Sequence, residues 1–345
     1  MRRPSTLISA ILVIAALLGV TELRAEDIVR IGVNDLLSDA PFYIAMDEGF
    51  FAKQEIAVSF VHFDTGPEMI PPLATGDIDV SAGALSAGLY NAVARGIDLK
   101  IVADKGSTAP TYDYVPLMIR KSLVDSGQVK TYADLKGLRI AEAGKWAVQS
   151  SRVNDALKRG GLSFEDAVHV FNVSNPEQVT AMANGSIAGG ITTEPLATIA
   201  VRQGIAVRFS TPDLYPEQQI AAILYGGPFI KNRRPVGERF MIAYLLAVRE
   251  YNDALEDGRF TGPAAKRVTR IVIAHHLVKD PTLLEDAYAN GCNPDGHVFI
   301  DSMRKDFAFL KSKGAINGNI VADDAVDDSF VLHALAKIGH YQHAR

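Results

Sequence analysis

Apolar positions along this chain fall into two alternating rhythms. Short runs rich in Val and Ile, at residues 28–33, 56–61, 78–81 and 101–103, read as strands. Between them, residues 41–51, 68–75 and 85–95 read as helices. A second series repeats the grammar, with strands at 115–119, 138–141, 167–172 and 188–191 and helices at 132–137, 148–160, 176–183 and 195–202. Such alternation predicts parallel sheets covered by helices. After a further strand at 221–225 the pattern turns helical: Phe240, Tyr244, Val248, Tyr251 and Leu255 recur at steps of three or four and lay one apolar stripe. Two more helical stretches follow, at 264–277 and 299–313. The expected fold is α/β with two lobes. Residues 26–113 and 226–345 form lobe 1 with the C-terminal helices, residues 114–225 form lobe 2, and extended crossings near 112–116 and 221–228 join them.

The first 25 residues follow a different rule. Arg2 and Arg3 precede an apolar run of 14 residues, Leu7 to Val20, and the small residue Ala25 closes the polar stretch after it. That order reads as a secretory signal peptide, because a spanning helix needs about 20 apolar residues. A lipid anchor would need a Cys just after the run, and the one Cys, Cys292, lies far downstream. A single Cys also excludes an internal disulfide framework. Cleavage after Ala25 leaves 32 basic against 39 acidic residues, a net charge of −7. No basic stripe for nucleic acid is present, and no later apolar run reaches spanning length. The expected mature protein is a soluble periplasmic monomer with no membrane insertion after cleavage. At 48% hydrophobic residues it can build its own cores.

Enzyme templates fail on inspection. Gly144-Lys145 resembles a phosphate loop, yet Arg139 stands where the loop needs Gly and Trp146 where it needs Ser or Thr. Neither a dinucleotide fingerprint nor a nucleophile elbow occurs. His275 and His276 are neighbours and point about 100° apart on a helix, so they do not converge on one metal. His333, His340 and His343 read as a solvated tail, and Asp77 as a turn residue beside Asp79. No metal and no cofactor is expected. What remains is a set of strand-to-helix turns rich in small and hydroxylated residues, at 81–86 and 142–151. In open sheets ligands bind beyond the carboxyl ends of the strands, where helix N-termini offer free N–H groups. Ser86, Ser150 and Ser151 either contact such a ligand or cap their helices.

The stretch Ala40-Pro41-Phe42-Tyr43-Ile44-Ala45-Met46-Asp47-Glu48-Gly49-Phe50-Phe51, followed by Val58-Ser59-Phe60, resembles the periplasmic binding proteins of ABC importers for nitrate, sulfonates, taurine and thiamine-pyrimidine precursors. The resemblance continues through Leu73-Ala74-Thr75-Gly76-Asp77-Ile78-Asp79-Val80, residues 132–141, residues 182–191, Thr193-Glu194-Pro195 and Pro228-Phe229-Ile230. It implies a type II-like two-lobed fold with two hinge crossings, and a small-molecule ligand held in the interlobe cleft and handed to an importer permease. Mapped by position, it implies ligand contacts from Ser38, Asp39 and Phe42, from Gly83, Ala84 and Ser86, from the turn reaching Gln149, and from Thr193 and Glu194. Phe42, Tyr112, Trp146 and Tyr225 are the aromatic candidates near these turns or the hinge. Trp146, the sole tryptophan, is read as a cleft wall, while one of Phe42 and Tyr43 must be core and Glu194 has capping of the next helix as its alternative role. Helix N-termini favour a sulfonate or carboxylate; Glu194 with aromatics would suit an amino-bearing ring such as a pyrimidine. An enzyme on the same fold, such as a thiamine-pyrimidine biosynthesis relative, is the alternative, although the cysteine-rich segment of those relatives is missing here. A sensory partner that presents ligand to a membrane receptor is a third reading.

Overall fold

The structure is a computed structural model that describes residues 26–342. The expected signal peptide and His343 lie outside the described residues. The strands are, in chain order, β1 (Asp27–Val33), β2 (Ile56–His62), β3 (Val80–Ala84), β4 (Leu99–Ser107), β5 (Leu117–Arg120), β6 (Arg139–Glu142), β7 (Val168–Phe171), β8 (Gly189–Ile191), β9 (Ala206–Arg208) and β10 (Gln219–Gly226). They form two sheets, ordered β2-β1-β3-β10-β4 and β7-β6-β8-β5-β9. The doubled grammar of the sequence is thus a doubled sheet.

Each sheet carries one reversed strand in its fourth position: β10 runs antiparallel to β3 and β4, and β5 antiparallel to β8 and β9. Both are the strands by which the chain enters a lobe after a crossing. Two expectations are corrected here. The sheets are mixed rather than parallel, because an entering strand arrives from the opposite direction. The second crossing runs over residues 209–218 rather than 221–228, because residues 219–226 are hydrogen-bonded into the first sheet. The first crossing covers 108–116. β9 was not foreseen, since three residues are too few to show a period.

The apolar stripe on the helix Gly227–Asp253 packs as its spacing requires: Phe240, Tyr244, Val248 and Tyr251 are fully buried against the first sheet. Pro235 lies inside this helix, and Arg233, two residues before it, leaves helical geometry (φ −136°, ψ 30°), a kink of the kind a proline causes. A second core is shared by the lobes. It joins Tyr90 and Leu99 of the first lobe to Ile140 and Leu157 of the second, and is closed by Met303, Phe307 and Leu310 of the helix Ile300–Ser312.

At the edge of that shared core Asp306 is fully buried. It accepts hydrogen bonds from the Tyr215 hydroxyl (2.7 Å) and Gln218 Nε2 (3.1 Å). Burial outweighs these bonds and pushes its carboxyl up to about 7. The native state therefore holds this proton more tightly than the unfolded chain, and the stability it contributes is lost as pH rises from the ordinary range near about 4 toward about 7, on the order of a few kcal/mol. Thermal melts at about pH 5 and about pH 8 check this: the fall in midpoint with rising pH should be smaller in Asp306→Asn than in the parent. Parallel falls would contradict the assignment.

Candidate functional site

A buried cavity lies where the two sheets face each other. Its walls come from Asn34, Ser38, Gly66, Ala84 and Lys105 of the first lobe, Gln149, Asn175 and Thr193 of the second, and Tyr114 of the first crossing. It offers about 40 Å³ to the centres of water-sized spheres, room for a few waters or one small polar group.

Lys105 reaches this cavity through a defect in its strand. Ala221 pairs with Gly106 and Ala222 with Asp104, so Lys105 is the extra residue of a β-bulge. On the facing strand Gln219 pairs with Ser107 and Ala221 with Gly106, which leaves Ile220 as the extra residue there. Both bulged residues line the cavity. The ammonium of Lys105 lies 2.7 Å from Asp39 Oδ1 and donates to Ser38 Oγ at 3.0 Å. Asp39 in turn accepts from the backbone N–H groups of Asn34 (3.2 Å) and Leu36 (3.0 Å), which fixes the turn after β1. Both side chains are almost fully buried, so each charge is held by the other. An ammonium has three N–H groups; Asp39 and Ser38 engage two, and one remains.

Two further polar groups on the wall have no protein partner: the Tyr114 hydroxyl and Gln149 Oε1, both buried. Burial pushes the Tyr114 hydroxyl well above its ordinary range, so it is a neutral donor. Gln149 sits in the first turn of the helix Val148–Arg159, whose start is docked on the first lobe. There Val148 N–H donates to Leu85 O (3.0 Å) and Ala87 N–H to Trp146 O (2.9 Å). Beside it the backbones of Gly66 and Gly83 touch so closely that a Cβ on Gly83 would stand 2.6 Å from Gly66 Cα.

Of the candidate residues, Ser38, Ala84, Gln149 and Thr193 line the cavity. Asp39 stands behind Lys105 and Gly83 against Gly66. Ser86 is buried and bridges to Ala147. Glu194 is buried in an ion pair with Arg208 and accepts from the N–H groups of Thr198 (3.0 Å) and Tyr288 (3.1 Å). It caps the helix Leu196–Arg202 and ties it to the C-terminal segment.

The four aromatic candidates lie elsewhere. Phe42 is in the first core, 5.4 Å from the Tyr244 ring. Tyr112 packs on the same core half-buried. The Tyr225 hydroxyl donates to Gly237 O (2.8 Å) deep within that core. Trp146, with φ +55°, turns its ring onto Phe164 (5.6 Å) and Phe171 (5.4 Å), outside the cavity. In each case burial against other apolar groups decided the placement. The residues not anticipated are Asn34, Lys105, Tyr114 and Asn175. Lys105 is one of three charged residues in its strand, with Lys100 and Asp104, so its charge did not single it out.

Two mixed sheets joined by two crossings, with a polar cavity between them, define a periplasmic binding protein fold. The alkanesulfonate-binding protein SsuA from Xanthomonas axonopodis pv. citri shares it with a TM-score of 0.68 at 17% identity, over 88% of this chain and 99% of that one. The desulfurization enzyme DSZB also shares it, with a TM-score of 0.61 at 14% identity over 91% of this chain and 100% of the other. In sequence, a putative aliphatic sulfonates-binding protein of Escherichia coli K12 is 27% identical over 150 residues, 44% of this chain, and the match spans 44% of that relative's length. The NMT1-like family profile matches residues 25–256. The chain belongs to the NMT1-like family. Among the described residues no helix is long and apolar enough to cross a membrane, and no group of His, Cys, Asp and Glu is arranged to hold a metal ion.

The buried pair makes a stability prediction. Asp39→Ala strands the Lys105 charge and should destabilise the protein by about 3–5 kcal/mol, whereas Asp39→Leu combined with Lys105→Met should recover most of that loss. Urea unfolding of the two variants checks it; a single variant as stable as the parent would contradict the pairing.

Proposed function

We propose that this protein is the periplasmic solute-binding component of an ABC importer, exported by residues 1–25, and that the inner cavity takes the anionic head of a small organic oxyanion such as a sulfonate or carboxylate. The observation that carries this reading is the pair of donors left over on the cavity wall: one N–H of Lys105 and the Tyr114 hydroxyl. A head bearing several acceptor oxygens engages both at once, and the start of the helix Val148–Arg159 on the same wall favours negative charge. Walls from both lobes support capture between them, and the sulfonate-binding proteins of similar sequence and fold support the ligand class. Delivery to a permease follows from that class.

The shared fold of a desulfurization enzyme keeps catalysis as a second reading. The one thiol argues for holding rather than chemistry: Cys292 is buried behind the cavity beside the carbonyl of Asp104, and burial pushes it well above the usual thiol range. Incubation with bound organosulfonates should release no sulfite; turnover would move the assignment to an enzyme.

The test of capture is a thermal-shift screen with methanesulfonate, benzoate, nitrate and pyrimidines on parent and Tyr114→Phe protein. A true ligand at a hundredfold excess over its Kd adds about 2.7 kcal/mol. Tyr114→Phe should leave the unliganded midpoint unchanged or raised, because it removes a hydroxyl with no protein partner, while weakening the ligand about tenfold. Equal affinity in both proteins would contradict the site.

A further inference from the structure

Four residues of the cavity wall, Ala143, Gly144, Ala147 and Gln149, come from one stretch of the second lobe. It leaves β6 at Glu142 and enters the helix Val148–Arg159, whose third residue is Ser150. This loop is packed hard on the first lobe: a Cβ on Gly144 would stand 2.8 Å from Pro67 Cγ. One hydrogen bond closes the loop at its base, where the Ser150 hydroxyl donates to Glu142 Oε2. The other oxygen of Glu142 lies 2.8 Å from His169 Nδ1, and His169 Nε2 lies 2.7 Å from the Phe164 carbonyl oxygen. A carbonyl oxygen accepts and does not donate, so Nε2 carries a proton. Glu142 already accepts from Ser150, and a buried carboxylate needs a counter-charge, so Nδ1 carries a second. The His169 ring is thus an imidazolium, stacked on the Phe164 ring with 3.7 Å between centroids. Glu142 is closed to water, while 10% of the His169 side chain is exposed, enough for its proton to exchange with solvent.

Resting on the reading of the inner cavity as an oxyanion site, we infer that Glu142 and His169 are positioning residues for that site: the imidazolium holds Glu142, Glu142 holds Ser150, and the loop 143–149 keeps the shape that walls the cavity only while His169 is protonated. A neutral ring has one N–H for two acceptors, and Glu142 loses its counter-charge whichever acceptor keeps the bond. The carboxylate then draws water or a proton into the base of the loop. Gly144 already touches Pro67, so a shift of the loop is felt at the cavity. Burial by itself lowers the proton affinity of the ring. Its bonds to Glu142 and the Phe164 carbonyl, with the charges of Glu142 and of Glu165 in the turn after Phe164, outweigh burial and hold the ring above its ordinary range. Glu165 is itself paired with Lys313 (2.5 Å), at the end of the helix Ile300–Ser312. Ligand affinity is therefore full below this raised range and falls as pH climbs through it.

The experiment is calorimetric titration with methanesulfonate from about pH 5.5 to about pH 9, on the parent, His169→Gln and Glu142→Gln. Parent affinity should fall about tenfold in one step, as when a bond to a buried charge is broken. His169→Gln should bind at the weaker level throughout and show no step. Glu142→Gln should move the step to lower pH, since the ring keeps its burial and loses its partner's charge. That variant decides alone if the first does not fold. Asp306 is tied to the same helix start through Gln218, which donates to the Val148 carbonyl; Asp306→Asn should leave the step in place. A parent affinity constant across the range overturns the positioning role and leaves the cavity standing. So does a step that His169→Gln or Glu142→Gln leaves unmoved, or one that Asp306→Asn abolishes. Methanesulfonate bound at no pH overturns the oxyanion reading of the cavity, and the positioning role with it.

Discussion

A carboxylate removed from water must be met by a cation or by a proton, and Asp39 is met by Lys105. Much of the site follows from that one pair. Asp39 holds the turn after β1 through two backbone N–H groups, so the pair locks the first wall of the cavity to β4. Lys105 reaches it only because β4 carries a bulge, which re-aims one side chain out of the ladder. The matching bulge at Ile220 turns a second residue to the same space. An unbroken ladder would have alternated these side chains between the faces of the sheet. Charge pairing and strand geometry here depend on each other: the bulge brings the ammonium in, and the carboxylate makes its burial tolerable.

The lobes that enclose this site are held together on two sides. On one, the helix Ile300–Ser312 is bound to the second lobe through Lys305 and Asp155 (2.6 Å), and the shared apolar core continues beneath it. On the other, Arg202 pairs with Asp286 (2.7 Å) and donates to the Thr282 carbonyl (2.7 Å), while Glu194 accepts from Tyr288 N–H. Exposed pairs of this kind contribute little each. The buried core and Glu194 contribute more, because breaking them exposes apolar surface and leaves buried charge unpaired.

Much of the fold was legible because its signals are periodic. Alternating strand and helix patterns, a stripe at helical spacing and a repeated order gave two α/β lobes and the long returning helix. The direction of β5 and β10 was not legible, since apolar runs carry no orientation, and this moved the second crossing by about ten residues. Within the site, the turn residues Ser38, Ala84, Gln149 and Thr193 line the cavity, as strand-to-helix turns in such sheets face the cleft. Phe42, Tyr112, Trp146 and Tyr225 were drawn there by proximity in sequence, and packing took them elsewhere. Lys105 escaped notice because a bulge depends on pairing with a strand more than a hundred residues away, which no local pattern records.

The central claim is that the last free N–H of Lys105, with the Tyr114 hydroxyl, holds the head of the ligand. A crystal structure of the protein grown with methanesulfonate tests it most directly. The account predicts a sulfonate in the inner cavity with one oxygen about 3 Å from Lys105 Nζ and another facing the Tyr114 hydroxyl. A sulfonate bound anywhere else, with only water beside Lys105, would contradict it.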